Sequence, residues 1–223
     1  MVANGNAPGD RVHAPTPPRP TVRGMLAGSQ NVAAAKRALR PSLLAARRAR
    51  PEADRERARA AVAVHLTDDL TGAGCVAAYL PLPSEPLGRD LLRTLAARTR
   101  LLIPVVTGAA PLDWCLFTET TRPGQLGIEE PDGPRLGPQA IADADAVLVP
   151  ALAVGPHGHR LGRGGGHYDR TLALRGELRG PARDRLIAVV YDDELGLDVP
   201  HDDLDRPVTA AVTPSRGLIS LPH

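Results

Sequence analysis

The chain has 223 residues, 43% of them hydrophobic and 23% charged, with a formal net charge of +2. This composition is typical of one globular domain and excludes disordered and fibrous classes. No apolar run approaches the roughly 18 residues that a membrane span needs, and no apolar secretory segment opens the chain, so we expect a cytoplasmic protein without a membrane partner.

The first segment, residues 1–28, is rich in Pro, Gly and Ala without periodicity, which predicts a disordered tail ahead of a single domain at 29–219. Apolar residues spaced on one helical face predict a helix over 30–49 and a second over 52–66. Pro41 is expected to kink or divide the first of these helices, because proline lacks the N–H that a helix interior uses.

Positive charge is concentrated in residues 1–60, which hold 12 Lys and Arg against 4 Asp and Glu, a net charge of +8. Such a segment either binds a polyanion or forms a solvated helix face. Aromatic residues, which stack on bases, are only 2% of the chain, so the solvated face is favoured and no nucleic-acid partner is expected. Lys36 is the only lysine.

Beyond these helices, short apolar runs alternate with helical stretches. This alternation predicts an α/β fold, a three-layer α/β/α sandwich with a mostly parallel, Rossmann-like sheet. Ligands of such sheets bind at the carboxyl ends of the strands. The expected strands lie at 75–80, 101–106, 113–117, 146–154, 185–191 and 208–213, and the expected helices at about 87–98, 138–143 and 167–178.

A glycine-rich stretch, "RLGRGGGHYDR" at 160–170, lies between an expected strand and an expected helix. Glycines let backbone N–H groups approach phosphate oxygens, and a helix amino terminus carries partial positive charge. The stretch fits neither a P-loop nor the dinucleotide fingerprint. Arg160, Arg163 and Arg170 could contact phosphate, and Asp169 either binds Mg²⁺ or only stabilises the first helical turn.

The longer segment "VPALAVGPHGHRLGRGGGHYDR", residues 149–170, resembles the ATP-binding signature of 5-formyltetrahydrofolate cyclo-ligases, also called 5,10-methenyltetrahydrofolate synthetases. Supporting segments occur in the family's order, and the resemblance covers about residues 30–216. These segments are "KRALR" at 36–40, "YLPLPSEP" at 79–86, "LLIPVV" at 101–106, "GIEEP" at 127–131 and "VPHDDLDRPVTAAVTP" at 199–214.

The resemblance implies ATP-dependent closure of 5-formyltetrahydrofolate to 5,10-methenyltetrahydrofolate, releasing ADP and phosphate, with ATP and Mg²⁺ bound. We expect the chain to be a monomer. It implies Arg163 and Lys36 as catalytic residues, Glu85 and Tyr168 as folate-binding residues, and Asp169 as the metal ligand. The implied ATP-binding residues are Lys36, Arg40, Arg163, Gly164, Gly165, Gly166, His167 and Tyr168.

Several positions depart from the family pattern. His167 replaces a tyrosine, Gly165 stands where some members carry lysine, and Pro41 directly follows Arg40. Leu204 and Thr209 stand where the family has His and Asp, which leaves Asp205 as the remaining acid. Two alternatives therefore stay open: a divergent ATP-dependent enzyme acting on another formyl or amide compound, and a polyanion-binding module that uses the basic amino-terminal helices.

Overall fold

The computed structural model of the chain describes residues 22–124, 128–179 and 185–222. No described helix is both long and apolar enough to cross a membrane. Much of the expected tail, residues 1–28, lies outside the described residues. Its last part does not follow the expectation, since the chain is already helical from residue 22; extending a formed helix needs only one hydrogen bond per added residue.

Two helices open the described part of the chain, α1 Val22–Ala49 and α2 Glu52–Asp69. Both confirm the helices predicted from apolar spacing. Pro41 does not divide α1, because the helix continues past it to Ala49 and the proline lies on the exposed side. The missing N–H therefore does not interrupt the face of α1 that packs on the domain.

The remaining elements confirm the alternation of strands and helices. After α2 the helices are α3 Arg89–Ala96 and α4 His167–Arg179, with 3₁₀ turns at Pro138–Asp143 and Asp192–Glu194. The strands are β1 Cys75–Ala77, β2 Arg100–Val105, β3 Asp113–Leu116, β4 Thr121–Pro123, β5 Glu129–Pro131, β6 Ala146–Pro150, β7 Ala153–Val154, β8 Arg160–Leu161, β9 Leu186–Val189, β10 Ala210–Thr213 and β11 Gly217–Ser220.

Seven strands form one sheet in the order β11-β10-β9-β6-β1-β2-β3. The five inner strands are parallel, and the edge strands β3 and β11 are antiparallel to their neighbours. From β1 the chain continues outward to β2, whereas from β6 it continues the other way to β9 and β10. The order reverses between β1 and β6, and such a switch point leaves a crevice at the carboxyl ends of the strands.

Apolar side chains cover both faces of the sheet, because strand residues alternate between them. On one face, Val76 and Leu148 pack with α2 and α3; on the other, Ala77 and Val147 pack with α4 and the first 3₁₀ turn. This arrangement confirms the three-layer sandwich. A smaller apolar cluster ties α1 to the segments just beyond β6; its members are Leu39, Leu43, Leu44, Leu152, Ala153, Leu161, Leu197 and Val199.

Several elements differ from the sequence predictions. The helix expected at 138–143 is a 3₁₀ turn, and the apolar run at 146–154 forms two strands, β6 and β7, in different sheets. The strands β4, β5, β8 and β11 were not predicted. They are only two to four residues long, and segments such as Glu129–Pro131 lack the apolar alternation that marks a strand in sequence.

Candidate functional site

A cleft of about 950 Å³ opens at the carboxyl end of the sheet, beside the switch point between β1 and β6. Segments following β1, β2 and β6 line it, together with α1, the glycine loop and residues 202–206. All residues predicted for the site line this cleft, although they come from distant parts of the chain. They are Lys36, Arg40, Glu85, Arg163, Gly164, Gly165, Gly166, His167, Tyr168 and Asp169.

The glycine loop, residues 162–166, connects β8 to the amino terminus of α4. Gly164 and Gly166 have φ of 105° and 65°, values that favour glycine. A Cβ on Gly164 would lie 3.3 Å from the Arg40 guanidinium carbon, and one on Gly166 would lie 2.7 Å from an Arg170 nitrogen. The loop therefore uses glycine both for its turns and for the close approach of cations to its backbone.

Lys36 and Arg40 lie four residues apart on α1 and so project from the same helix face into the cleft. Arg40 Nε donates a hydrogen bond to the Gly162 carbonyl at 2.8 Å, which joins α1 to the glycine loop. Lys36 forms an ion pair with Asp205. Although Pro41 directly follows Arg40, α1 continues to Ala49 and both side chains line the cleft.

Arg163 extends from the glycine loop across the cleft. Its Nη2 lies 3.8 Å from Oε1 of Glu85, which stands on the opposite wall in the loop after β1. The Arg163 side chain is 42% exposed, against 12% for Lys36. Arg163 is therefore the more accessible of these two cations for an incoming anion.

Glu85 is buried in the cleft wall, and its Oε2 accepts a hydrogen bond from the Leu82 N–H at 2.9 Å. Burial raises the pKa of the Glu85 carboxyl, while the Leu82 N–H, Arg47 and Arg163 oppose the rise. Beside it, the Tyr168 hydroxyl is buried with no hydrogen-bond partner in the described part of the chain. Burial, and then Glu85, raise the pKa of Tyr168, so this hydroxyl remains a proton donor at neutral pH.

Asp169 joins three segments at the start of α4. Its Oδ1 accepts hydrogen bonds from Arg160 Nη2 at 2.8 Å and from the Arg206 N–H at 3.2 Å. Arg160 also donates to the Arg206 carbonyl and so links α4 to residues 202–206; it lines the cleft, and its contact with phosphate stays a prediction. The described residues contain no group of three or more His, Cys, Asp or Glu arranged to hold a metal ion.

Residues 202–206, "DDLDR", line the cleft. The sequence analysis singled out only Leu204 and Asp205 in this segment and did not predict that it lies beside Lys36. Asp205, the acid left open in the sequence analysis, pairs with Lys36. Leu204 lies at the cleft lip and is 78% exposed. Thr209 is not among the described residues that line the cleft, because its hydroxyl bonds to the backbone of Leu186 at the start of β9.

His167 opens α4 at the cleft, and its Nε2 lies 3.0 Å from the Gly108 carbonyl beyond β2. This contact ties the amino end of α4 to the loop after the neighbouring strand. The replacement of tyrosine by histidine thus leaves a side chain that still lines the cleft.

Comparisons with known proteins all match one family. A model described as the 5-formyltetrahydrofolate cyclo-ligase family matches residues 32–214. The 5-formyltetrahydrofolate cyclo-ligase of Mycolicibacterium smegmatis is 41% identical over 197 residues, which cover 83% of this chain and 97% of that protein. The Escherichia coli K12 protein of the same description is 32% identical over 92 residues, 41% of this chain and 48% of that protein.

Solved structures agree. The NMR structure of Aquifex aeolicus 5,10-methenyltetrahydrofolate synthetase has a TM-score of 0.67 at 28% identity, covering 83% of this chain and 92% of that one. A 5,10-methenyltetrahydrofolate synthetase from Mycoplasma pneumoniae has a TM-score of 0.61 at 21% identity, covering 79% and 96%, and shares the fold.

Proposed function

The chain belongs to the 5-formyltetrahydrofolate cyclo-ligase family, and on that premise we propose that its cleft converts 5-formyltetrahydrofolate to 5,10-methenyltetrahydrofolate with ATP, releasing ADP and phosphate. One observation carries the proposal: Arg163 of the glycine loop lies 3.8 Å from the buried Glu85. A phosphate held at the loop and a folate held at the Glu85 wall would therefore meet inside one cleft.

The chemistry needs this proximity. The oxygen of the N5-formyl group is a poor leaving group until it is phosphorylated. In the proposed sequence this oxygen attacks the γ-phosphorus and ADP departs; N10 then attacks the activated carbon, loses its proton, and inorganic phosphate leaves with the former formyl oxygen. No enzyme nucleophile is required. The protein has to orient two substrates and neutralise the charge that moves on the phosphates.

The described side chains support a division of the cleft. We assign Lys36, Arg40 and the N–H groups of the glycine loop to the phosphates, with Arg163 at the transferred phosphoryl group. Glu85 and Tyr168 face the folate in this assignment. The buried Tyr168 hydroxyl has no acceptor among the described residues, and the substrate would supply one. Satisfying a buried hydroxyl removes a desolvation penalty, so this contact would favour the bound state.

Asp169 fits a nucleotide-bound Mg²⁺, because its carboxylate reaches the cleft and this ion usually takes only one or two carboxylates beside phosphate and water oxygens. Mg²⁺ held there would neutralise charge on the transferred phosphoryl group. The same carboxylate also fastens Arg160 and the Arg206 N–H. Asp169 would therefore position residues 202–206 whether or not the ion is bound.

Substitution of Asp169 by Asn separates these roles. We expect the Mg²⁺ concentration for half-maximal rate to rise by about tenfold, since the variant loses the charge but keeps an oxygen for Arg160. Initial rates over a Mg²⁺ titration at saturating ATP measure it. Asp132→Asn, exposed and outside the cleft, is the matched control. An unchanged Mg²⁺ requirement would leave Asp169 as a structural link only.

The near-ultraviolet absorbance of the methenyl product tests the function itself. Purified protein with 5-formyltetrahydrofolate and Mg²⁺ should show an absorbance rise only when ATP is added, because ring closure needs the phosphorylated formyl oxygen. A flat trace from folded protein that binds ATP would exclude this substrate. Thermal-shift titrations with other formyl compounds would then identify the alternative substrate. Leu204, which departs from the family pattern and lines the cleft, is the structural reason to consider one.

The polyanion-binding alternative finds less support in the structure. Many cations of the amino-terminal helices already face acids of the same chain: Lys36 pairs with Asp205, Arg47 with Glu194, and Arg50 with Asp193. Further pairs lie within α2. We further propose that the chain works as a monomer, because the predicted site residues line one cleft of a single copy. We also propose that it works in the cytoplasm, as the sequence analysis expects.

A further inference from the structure

Three charged side chains are buried together behind the cleft wall. Arg47 of α1, Glu194 of the 3₁₀ turn after β9, and Glu85 of the loop after β1 are 0%, 2% and 5% exposed. Two of them, Arg47 and Glu194, are outside the described residues that line the cleft, and neither has a part in the proposed chemistry. Buried charges are costly unless they are paired, so this group requires an explanation.

Arg47 is fixed from two directions. Its Nε and Nη2 donate to the two carboxylate oxygens of Glu194, each at 2.7 Å, and Nη2 also donates to the Ala151 carbonyl at 2.6 Å. Glu194 in turn accepts the Tyr191 N–H at 2.9 Å. A bidentate pair with this support has little freedom to rotate.

The third nitrogen of the Arg47 guanidinium group faces the cleft wall. Nη1 is buried without a hydrogen-bond partner in the described part of the chain, and it lies 3.9 Å from Glu85 Oε1. The same oxygen lies 3.8 Å from Arg163 on the cleft side. Glu85 Oε1 therefore stands between two cations and is hydrogen-bonded to neither, which leaves it available to a ligand.

Arg163 and Arg47 differ in whether they remain beside Glu85 when ATP binds. Arg163 is 42% exposed and lies on the loop assigned to phosphate, so ATP would draw it toward the triphosphate and solvent would screen it. Arg47 is buried and tied to Glu194. The other titratable groups facing Glu85 are Glu194, which repels its charge, and the buried phenols of Tyr79 and Tyr168.

We infer that Arg47, held by Glu194, is a positioning residue that keeps the Glu85 carboxylate charged and oriented toward the folate throughout turnover. The inference rests on the proposed function, because it takes Glu85 as a folate contact. Without a fixed counter-charge, burial would favour the neutral acid, which is a hydrogen-bond donor and a different partner for the substrate.

The test is the pH dependence of 5-formyltetrahydrofolate binding, measured by calorimetry without ATP. In the wild type, affinity should fall as the pH drops through the range in which Glu85 gains a proton. Arg47→Gln should raise the pH of this fall by about one unit, because loss of a nearby cation raises a carboxyl pKa. Arg47→Lys should restore much of the wild-type profile, and Arg48→Gln, exposed on the same helix, should leave it unchanged.

A second variant guards against loss of folding in Arg47→Gln. Replacing Arg47 and Glu194 together by Met removes both charges of the buried ion pair, so neither partner is left without the other, an exchange that proteins often tolerate. This double variant should also displace the fall in affinity to higher pH, but by less than Arg47→Gln, because loss of the repelling Glu194 charge offsets part of the loss of Arg47. In a Glu85→Gln background, neither change should move the pH profile, since the titrating group is gone.

The outcomes separate the two proposals. Wild-type protein that binds no 5-formyltetrahydrofolate at any pH would overturn the proposed function. If the wild type binds it but Arg47→Gln or the double variant keeps the wild-type pH profile, the positioning role of Arg47 is wrong and the pair only stabilises the fold. A displacement that persists in the Glu85→Gln background would overturn the assignment to Glu85.

Discussion

Replacement of Arg163 by alanine should lower kcat by about 100- to 1,000-fold, equivalent to about 3 to 4 kcal/mol of transition-state stabilisation. Arg163 is an accessible cation of the glycine loop and faces the folate wall at Glu85. Charge on the phosphoryl group changes at that junction during transfer, so a cation there acts mainly on the transition state. The loss should therefore fall on kcat more than on the KM for folate.

The measurement is steady-state formation of the methenyl product, and two further variants serve as comparisons. Arg163→Lys keeps a charge but loses the planar fork of donors, and we expect it to recover only part of the rate. Arg98→Ala removes an exposed arginine outside the cleft and should behave as the wild type. Wild-type kinetics in Arg163→Ala would refute its assignment to the transferred phosphoryl group.

Lys36→Ala should reduce kcat/KM for ATP by about 10- to 100-fold, the effect of losing one charge-assisted contact worth about 1.5 to 3 kcal/mol. Lys36 reaches the cleft from α1 beside Arg40, and its ammonium group is already paired with Asp205. A phosphate bound there would compete with that carboxylate. Lys36→Arg keeps the charge and should retain more of the affinity for ATP than alanine does.

Asp205→Asn distinguishes phosphate binding from a purely structural role of Lys36. If Lys36 only fastens residues 202–206, losing Asp205 should reproduce the defect of Lys36→Ala. If Lys36 binds phosphate, Asp205→Asn should instead leave the KM for ATP equal or lower, because a competing carboxylate is gone. Since Lys36 is the only lysine of the chain, protection of that single side chain from an amine-reactive reagent by ATP gives an independent measurement.

The amino-acid sequence alone determined the local architecture. Apolar runs marked the inner strands, because parallel strands are buried on both faces and need continuous hydrophobic residues. The glycine loop was equally readable, since its turns at Gly164 and Gly166 require a residue without a Cβ. Placement of that loop between the strand expected at 146–154 and the helix expected at 167–178 followed from the α/β alternation and predicted an anion site.

Other strands were not predicted, because their stability comes from packing against the rest of the domain and not from a pattern in their own residues. The hairpin of β4 and β5 and the two-residue strand β8 are too short and mixed in character to carry a periodic signal. Pro41 was expected to kink or divide α1, but the helix is not divided and continues to Ala49. Packing of α1 against the cluster around Leu39 and Leu43 outweighs one missing hydrogen bond.

Only the tertiary structure decided which charges meet. Lys36 finds Asp205 across 169 positions of the chain, and Arg47 finds Glu194 across 147. No local pattern encodes such pairs, because they depend on where α1 packs relative to the carboxyl ends of the strands. The sequence therefore established the loop and the residue types for binding phosphate, while packing alone placed the buried Arg47–Glu194 pair behind Glu85 and the segment 202–206 over Lys36.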